Sequence, residues 1–402
     1  MHTSIGVMRA PRSVLFGAGQ RRALGKTLSA IGKRVLICTD KRFASSGDML
    51  GILDDLAQNG LSVTVFDGTL AELPLSSIER CVDMMGSAAP HVVVGIGGGS
   101  CMDMAKLVSL LLTHGGPIDR YYGEFKVPGP VTPIVAVPTT SGTGSEVTPV
   151  AVLADDTRDL KVGISSPYLI PHTAICDPEL TMTCPPGLTA LSGADALTHA
   201  IEAYTAVAHP PTPDLSQERV FVGKNVLSDQ FALSAIEALC LYLPQAVRNG
   251  SDILARTMVM KGSLLAGLAF GSAGTSLAHA IQYPVGALTN TPHGLGVAVL
   301  MPYVMEYNAS ACQTELTAIG RVIGVDNPDD GAVAKQAIDR IRAFLSDIGI
   351  PLTLKDLGLQ EEKIDWVAEQ SMRSARLINN NPRMLDVDAI GQVVRRAYHG
   401  AN

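Results

Sequence analysis

Four short apolar runs recur through the first half of the chain with amphipathic stretches among them, and this alternation constrains the fold more than any other feature. Residues 34–40 (Arg-Val-Leu-Ile-Cys-Thr-Asp), 61–66, 91–96 and 133–138 read as buried strands. Continuous runs of this kind suit a parallel sheet covered on both faces. Residues 49–59 and 76–88 have the spacing of helices packed on such a sheet. The alternation predicts an α/β domain. From about Pro185 the pattern changes: residues 188–207, 228–250, 253–273, 331–348 and 390–399 read as helices, with a shorter one at 316–323 and few strands between. Two domains are expected, an α/β domain over 1–185 and an all-helical domain over 186–402, with the Pro/Asp-rich residues 209–214 as a loop inside the second.

With 402 residues, 47% of them hydrophobic, the chain can fill two cores. A formal charge of −7 argues against nucleic acid, which needs a basic face. Scattered charges without a Lys/Arg run weaken a membrane-surface reading, and no apolar run approaches the roughly 20 residues of a spanning helix. The first residues lack the basic and apolar regions of a signal peptide. Seven dispersed cysteines, none in a C-x-x-C pair, fit reduced thiols in a cytoplasm.

Gly97-Gly98-Gly99-Ser100 follows the run 91–96 and precedes a helical stretch, 102–112. Glycines admit a pyrophosphate close to the backbone, and a helix N-terminus offers N–H donors and partial positive charge. The same residues could form an ordinary tight turn. Asp40 ends an earlier strand, where a carboxylate can accept from an adenosine ribose or cap a helix. The hydroxyl-rich segment 138–146 (Pro-Thr-Thr-Ser-Gly-Thr-Gly-Ser-Glu) again follows a strand, and suits a loop along a polar ligand or a solvated turn.

Asp195 and His199, at i and i+4, project from one helical face. His279 is expected to end a helical stretch, and His293 to lie in a loop after Pro292. One carboxylate and three imidazoles suit Fe²⁺ or Zn²⁺ with an open position. A D-x-x-x-H pair is also a common surface pair, and spacing does not bring the two later histidines to it.

Taken in order, these segments resemble the iron-containing (group III) alcohol dehydrogenases, relatives of glycerol dehydrogenases and dehydroquinate synthases. The matching residues are 16–19 (Phe-Gly-Ala-Gly), Thr39-Asp40, 97–103 with Lys106, 138–146, 193–202 (Gly-Ala-Asp-Ala-Leu-Thr-His-Ala-Ile-Glu), His279 and 290–294 (Asn-Thr-Pro-His-Gly). The resemblance implies a Rossmann-like N-terminal dinucleotide-binding domain and an all-helical, metal-binding C-terminal domain, with the active site in a cleft between them. It implies that Asp195, His199, His279 and His293 bind the metal, iron before zinc. Gly98, Gly99 and Ser100 would hold the pyrophosphate of NAD, Thr139, Thr140 and Thr148 would lie along the dinucleotide, and Lys161 would lie near its nicotinamide end. Asp40 matches the acidic ribose position, which favours NAD over NADP, and at least a homodimer is expected.

In one place the chain departs from the pattern. Many members carry a second histidine four residues after the one matched by His279, and here that residue is Tyr283. A histidine proton relay is therefore closed to this chain, and Tyr283 is left as a hydrogen-bond donor or pocket wall, with Phe270 and Tyr303 as further pocket candidates. The expected reaction is hydride transfer between NAD(H) and a small alcohol or its aldehyde or ketone. Alternatives on the same scaffold are a polyol or hydroxy-acid dehydrogenase, a transhydrogenase, a dehydroquinate-synthase-like lyase and an idle NAD-binding protein. The lyase would need a basic pocket for a phosphate-bearing substrate, and the metal motifs have no Lys/Arg cluster near them.

Overall fold

Period-two alternation along the central strands sorts their side chains into two cores. In β2 (Arg34–Cys38), Leu36 and Cys38 join one cluster, while Val35 and Ile37 join the other. In β4 (Val92–Gly97), Val93 joins the first and Val92, Val94 and Ile96 the second. In the computed structural model, which describes residues 5–155 and 160–400, these strands belong to a six-stranded sheet.

The chain divides into two units. The first, residues 9–183 with 217–220, contains β1 (Ser13–Phe16), α1 (Leu24–Ile31), β2, α2 (Lys41–Ala44), α3 (Gly47–Gln58), β3 (Ser62–Phe66), α4 (Leu75–Met85), β4 and α5 (Gly99–His114). It continues through β5 (Gly123–Glu124), β6 (Ile134–Pro138), β7 (Val150–Asp155), β8 (Leu160–Ser165) and β9 (Thr173–Cys176). The main sheet is parallel with order β1-β9-β6-β4-β2-β3, and β5-β8-β7 form a second sheet. From β2 the chain moves outward to β3 and returns on the other side of β2 to β4, so the strand order reverses between β2 and β4. Ligands of open α/β sheets bind beyond the strand ends at such a reversal.

The second unit comprises residues 184–216, 221–400 and 5–8. Its helices are α6 (Pro186–Thr205), the first half of α7 (Leu215–Glu218), α8 (Val226–Arg248), α9 (Ile253–Ala273), α10 (Leu277–Thr289), α11 (His293–Asn308), α12 (Gln313–Val322), α13 (Asp330–Asp347), α14 (Ile364–Ser371), α15 (Ala375–Asn379) and α16 (Val387–His399). α6 is buried almost all round, from Gly193 to Thr205, as a central helix must be. By length and composition α8 and α9 could cross a bilayer, which the sequence runs did not suggest, but both pack on α6 as core helices.

Two short segments depart from a single break at 185. Val226 N–H donates to Ile5 O and Val7 N–H to Asn225 Oδ1, which ties the N-terminal residues to the start of α8. Val220 N–H donates to Glu124 Oε2 and Arg9 donates to Val220 O, which ties 217–220 to the sheet unit.

A buried polar network fixes the hydroxyl-rich loop onto α5. Asp103 accepts from Ser145 Oγ (2.5 Å) and Val152 N (2.9 Å), and Lys106 Nζ donates to Thr148 O (3.0 Å), Thr148 Oγ1 (3.3 Å) and Val150 O (2.7 Å). Burial pushes Glu146 up to about 7 against the pull of its own backbone N–H and Lys106, and burial lowers Lys106 to about 8. A carboxyl raised on folding binds a proton in the native state before the unfolded one does, so its contribution to stability falls as pH rises from about 4.5 to about 7. Glu146→Gln lacks this loss. The melting temperature of Glu146→Gln minus that of the wild type is expected to grow across that window, at about 3 °C per kcal/mol. A flat difference between pH 4.5 and pH 7.5 would show that Glu146 ionises normally.

Candidate metal centre

Three residues at i, i+4 and i+7 of α6, Asp195, His199 and Glu202, share one helical face, and each is buried. A helix with two carboxylates and an imidazole on its buried face needs partners there, because an unpaired buried charge is costly. Those partners come from α10 and α11.

Glu202 receives the start of α10. Its Oε2 accepts from Ser276 N (2.9 Å) and its Oε1 from Ala278 N (2.7 Å), which occupies N–H groups that a helix N-terminus otherwise leaves open. The same carboxylate is 2.6 Å from His279 Nδ1. A carboxylate at that nitrogen assigns the proton to Nδ1, which donates to Glu202. Burial alone would push the Glu202 carboxyl up, but the His279 pair and the two N–H groups outweigh it and hold the carboxyl below its usual range. His279 is therefore fixed in orientation and tautomer. Its Nε2 carries the lone pair, is buried and has no hydrogen-bond partner.

α11 brings the last histidine. Pro292 is its N-cap and His293 its first residue. A Cβ on Gly294 would stand 2.6 Å from Leu191 O and 3.0 Å from Asp195 Cβ, so the close approach of α11 to α6 requires glycine there. His199 Nε2 lies 3.6 Å and His293 Nε2 3.9 Å from Asp195 Oδ1, and the rings of His279 and His293 are 5.2 Å apart. Ligand atoms of Asp195, His199 and His279 all fall within 4.8 Å of one another. Four donors about 2.1 Å from one ion stand about 3.4 Å apart in a tetrahedron. The donor set and the open Nε2 of His279 fit a divalent transition metal.

The helices differ from the expectation at two points. His279 lies in the first turn of α10 rather than at a helix end, and His293 opens α11 rather than sitting in a loop. Pro284 and Pro302 lie inside these helices, and Gly294 and Gly296 begin the second, so the sequence reads as broken where the chain is helical. Phe270 stacks on His199 at 4.3 Å, and half-buried Tyr283 stacks beside His293 at 6.0 Å. Tyr303 is not placed as a pocket wall: it is buried in α11 and its hydroxyl donates to Leu352 O (2.5 Å). Sequence reasoning gave Glu202 no role, although its place seven residues after Asp195 was the signal.

In the sheet unit, the glycine turn joins β4 to α5. Gly98 is the N-cap, with no side chain capping the helix. Gly97 has φ +150°, and a Cβ on Gly99 would stand 2.6 Å from Thr143 Cγ2. Thr139 N–H donates to Gly97 O (2.9 Å), which sets the turn beside the loop containing Thr140. Ser100 is in the first turn of α5 and partly exposed. Asp40 caps α2 through Oδ1, which accepts from Phe43 N (2.9 Å), while Oδ2 lies 3.7 Å from where a Cβ on Gly97 would stand. Thr148 is buried with its hydroxyl on Lys106, and Lys161 on β8 is ion-paired with Glu72.

Residues 11–178 match the family described as iron-containing alcohol dehydrogenase, and residues 189–398 match its C-terminal family. The chain belongs to the iron-containing alcohol dehydrogenase family. This dehydrogenase is 34% identical over 390 residues to the NAD-dependent methanol dehydrogenase of Bacillus methanolicus, covering 96% of this chain and 98% of that one. The crystal structure of a 1,3-propanediol oxidoreductase superposes with a TM-score of 0.91 at 32% identity, covering 98% of this chain and all of the other. The sulfoacetaldehyde reductase of Bifidobacterium kashiwanohense, solved in complex with NAD⁺, superposes at 0.84 with 28% identity over 98% of both chains. The α/β unit and helical unit of this dehydrogenase are the fold of that family.

Proposed function

We propose that this dehydrogenase transfers hydride between NAD(H) and a small alcohol or its aldehyde or ketone, at a divalent metal held by Asp195, His199, His279 and His293. The observation that carries the reading is the convergence of buried Asp195, His199 and His279, with His293 Nε2 3.9 Å from Asp195 Oδ1 and His279 Nε2 left open by the hold of Glu202 on Nδ1. A bound Fe²⁺ or Zn²⁺ would supply a Lewis acid that lowers the pKa of an alcohol oxygen and polarises a carbonyl. The three imidazoles and one carboxylate suit either ion, and family membership favours iron.

The chain's own residues position the partners of the reaction. Glu202 keeps the proton on Nδ1 of His279, so the ring presents a neutral nitrogen. Phe270 packs against His199 and fixes that ring. Tyr283 supplies a wall and a phenolic hydrogen bond where many relatives have histidine. Gly98, Gly99 and Ser100 at the start of α5, with Thr139 and Thr140, support a pyrophosphate. Asp40 would accept from the adenosine ribose and repel a 2′-phosphate, which selects NAD over NADP. Thr148 acts through Lys106, and Lys161 approaches the nicotinamide end from its pair with Glu72. The lyase alternative would need a cation for a phosphate, and the described partners Glu202, Phe270 and Tyr283 supply none.

We place the protein in the cytoplasm as a homodimer or larger homo-oligomer. Its seven cysteines are free, and β1 is an edge strand with Ser13 and Val14 exposed. The test is anaerobic purification with metal analysis and light scattering, then NADH oxidation with a panel of short aldehydes and ketones before and after metal removal. Activity that vanishes with the metal and returns with Fe²⁺ or Zn²⁺ in a dimer or larger particle supports the proposal. Absence of bound metal overturns the site, and a monomer overturns the oligomer.

A further inference from the structure

The acid at the end of β2 has a second partner that the family pattern does not predict. Asp40 Oδ1 is engaged by Phe43 N–H, and Oδ2 lies 3.8 Å from Sγ of Cys101, within reach of an S–H donor. Cys101 is the third residue of α5, immediately after the glycine turn, and is 3% exposed. A Cβ on Gly97 would stand 2.5 Å from its sulfur, so the thiol fills the space behind the turn. Thr69 N–H donates to Thr39 O, which closes the loop after β3 over the group. Burial, with Asp40 beside it, pushes the Cys101 thiol up to about 12, so at neutral pH it is a protonated donor and the carboxylate accepts.

We propose that Cys101 is a positioning residue for Asp40, and that its thiol sets the carboxylate for the ribose and thereby the preference for NAD(H) over NADP(H). This inference rests on the reading that Asp40 meets the adenosine ribose. A carboxylate with one partner on each oxygen has its χ angles fixed. With Oδ2 released it turns about the remaining bond to Phe43, and neither its contact with a ribose nor its repulsion of a 2′-phosphate is held in place. Cys101 lies on the helix whose N-terminus would meet the pyrophosphate, so one side chain keeps the ribose acid in register with the phosphate turn.

Titration of the full-length protein with NADH and with NADPH, followed by nicotinamide fluorescence, tests this without knowledge of the substrate. Cys101→Ala removes the donor, and Cys101→Ser restores one of similar size. Cys101→Ala is expected to weaken NADH about three- to tenfold, the scale of one ordinary hydrogen bond as suits a weak S–H donor, and to narrow the NADPH/NADH ratio of dissociation constants by a similar factor. Cys101→Ser is expected to recover most of both. In an Asp40→Ala background, Cys101→Ala is expected to leave the ratio unchanged. If Asp40→Ala narrows the ratio while Cys101→Ala does not, or if alanine and serine behave alike, Cys101 is only filler and the proposal falls. If Asp40→Ala leaves the ratio unchanged, the ribose reading of Asp40 falls and takes the proposal with it. Should Cys101→Ala fail to fold, a ratio for Cys101→Ser that matches the wild type supports the proposal, and one that matches Asp40→Ala overturns it.

Discussion

His279→Ala is expected to lose at least about three orders of magnitude in turnover while its affinity for NADH stays within about threefold of wild type. The two halves of this expectation come from different parts of the chain. His279 is held by α6 and the first turn of α10, and its open Nε2 is the best-prepared donor in the candidate centre. A Lewis acid supplies several kcal/mol of transition-state stabilisation, and each 1.36 kcal/mol is tenfold in rate. Removal of one of four ligands forfeits most of that. The groups assigned to the dinucleotide, Asp40 and Gly98–Ser100, lie at the starts of α2 and α5 and share no bond with His279. Metal analysis, fluorescence titration with NADH and steady-state turnover, measured on one preparation, test the separation. Loss of metal with retained NADH binding is the expected pattern. Joint loss of NADH binding and turnover in a folded variant would mean that His279 supports the cofactor rather than a metal. His279 is buried, so the melting temperature of the variant is measured beside them.

The sequence carried the sheet and the outer helices well, because their signals are local. Val35, Leu36 and Ile37 are apolar in succession and must be covered on both faces, and Asp195 and His199 are one helical turn apart whatever surrounds them. Elements whose residues are dictated by a neighbour were hidden. Gly294 is glycine because Leu191 O and Asp195 Cβ approach it, and with Gly296 and Pro302 it makes the start of α11 look like a loop. β1 and β9 have four residues each, too few for a period, and they emerge only from pairing with each other and with β6. The four residues of the candidate centre were reachable by motif, since each lies in a segment the resemblance covers. What no spacing could show was their convergence, which depends on Glu202 receiving the N-terminus of α10. Asp40 was left open between a helix cap and a ribose acceptor. Its Oδ1 caps α2, and Oδ2 is turned to the glycine side.

Glu202→Gln is expected to weaken metal binding about 10- to 100-fold, the range seen when the outer partner of a metal-bound histidine is lost. Glutamine keeps the volume of the side chain and one carbonyl acceptor, but it has no charge, and one arm becomes a donor. That arm cannot accept from Ala278 N–H or Ser276 N–H, both of which Glu202 now satisfies together with His279 Nδ1. The histidine is then free to rotate or change tautomer, and its nitrogen becomes a poorer donor to an ion. A purely structural role makes a different prediction. If Glu202 serves only as the cap of α10, the variant loses stability by about 1–3 kcal/mol for the unsatisfied N–H, while the metal affinity of its folded form stays at the wild-type value. Competition with a chelator of known affinity, together with the melting temperature of the metal-free protein, resolves the two. A drop in stability with unchanged metal affinity would reduce Glu202 to a cap. Weakened affinity in a variant that melts near the wild type would make it the residue that prepares His279 for a metal.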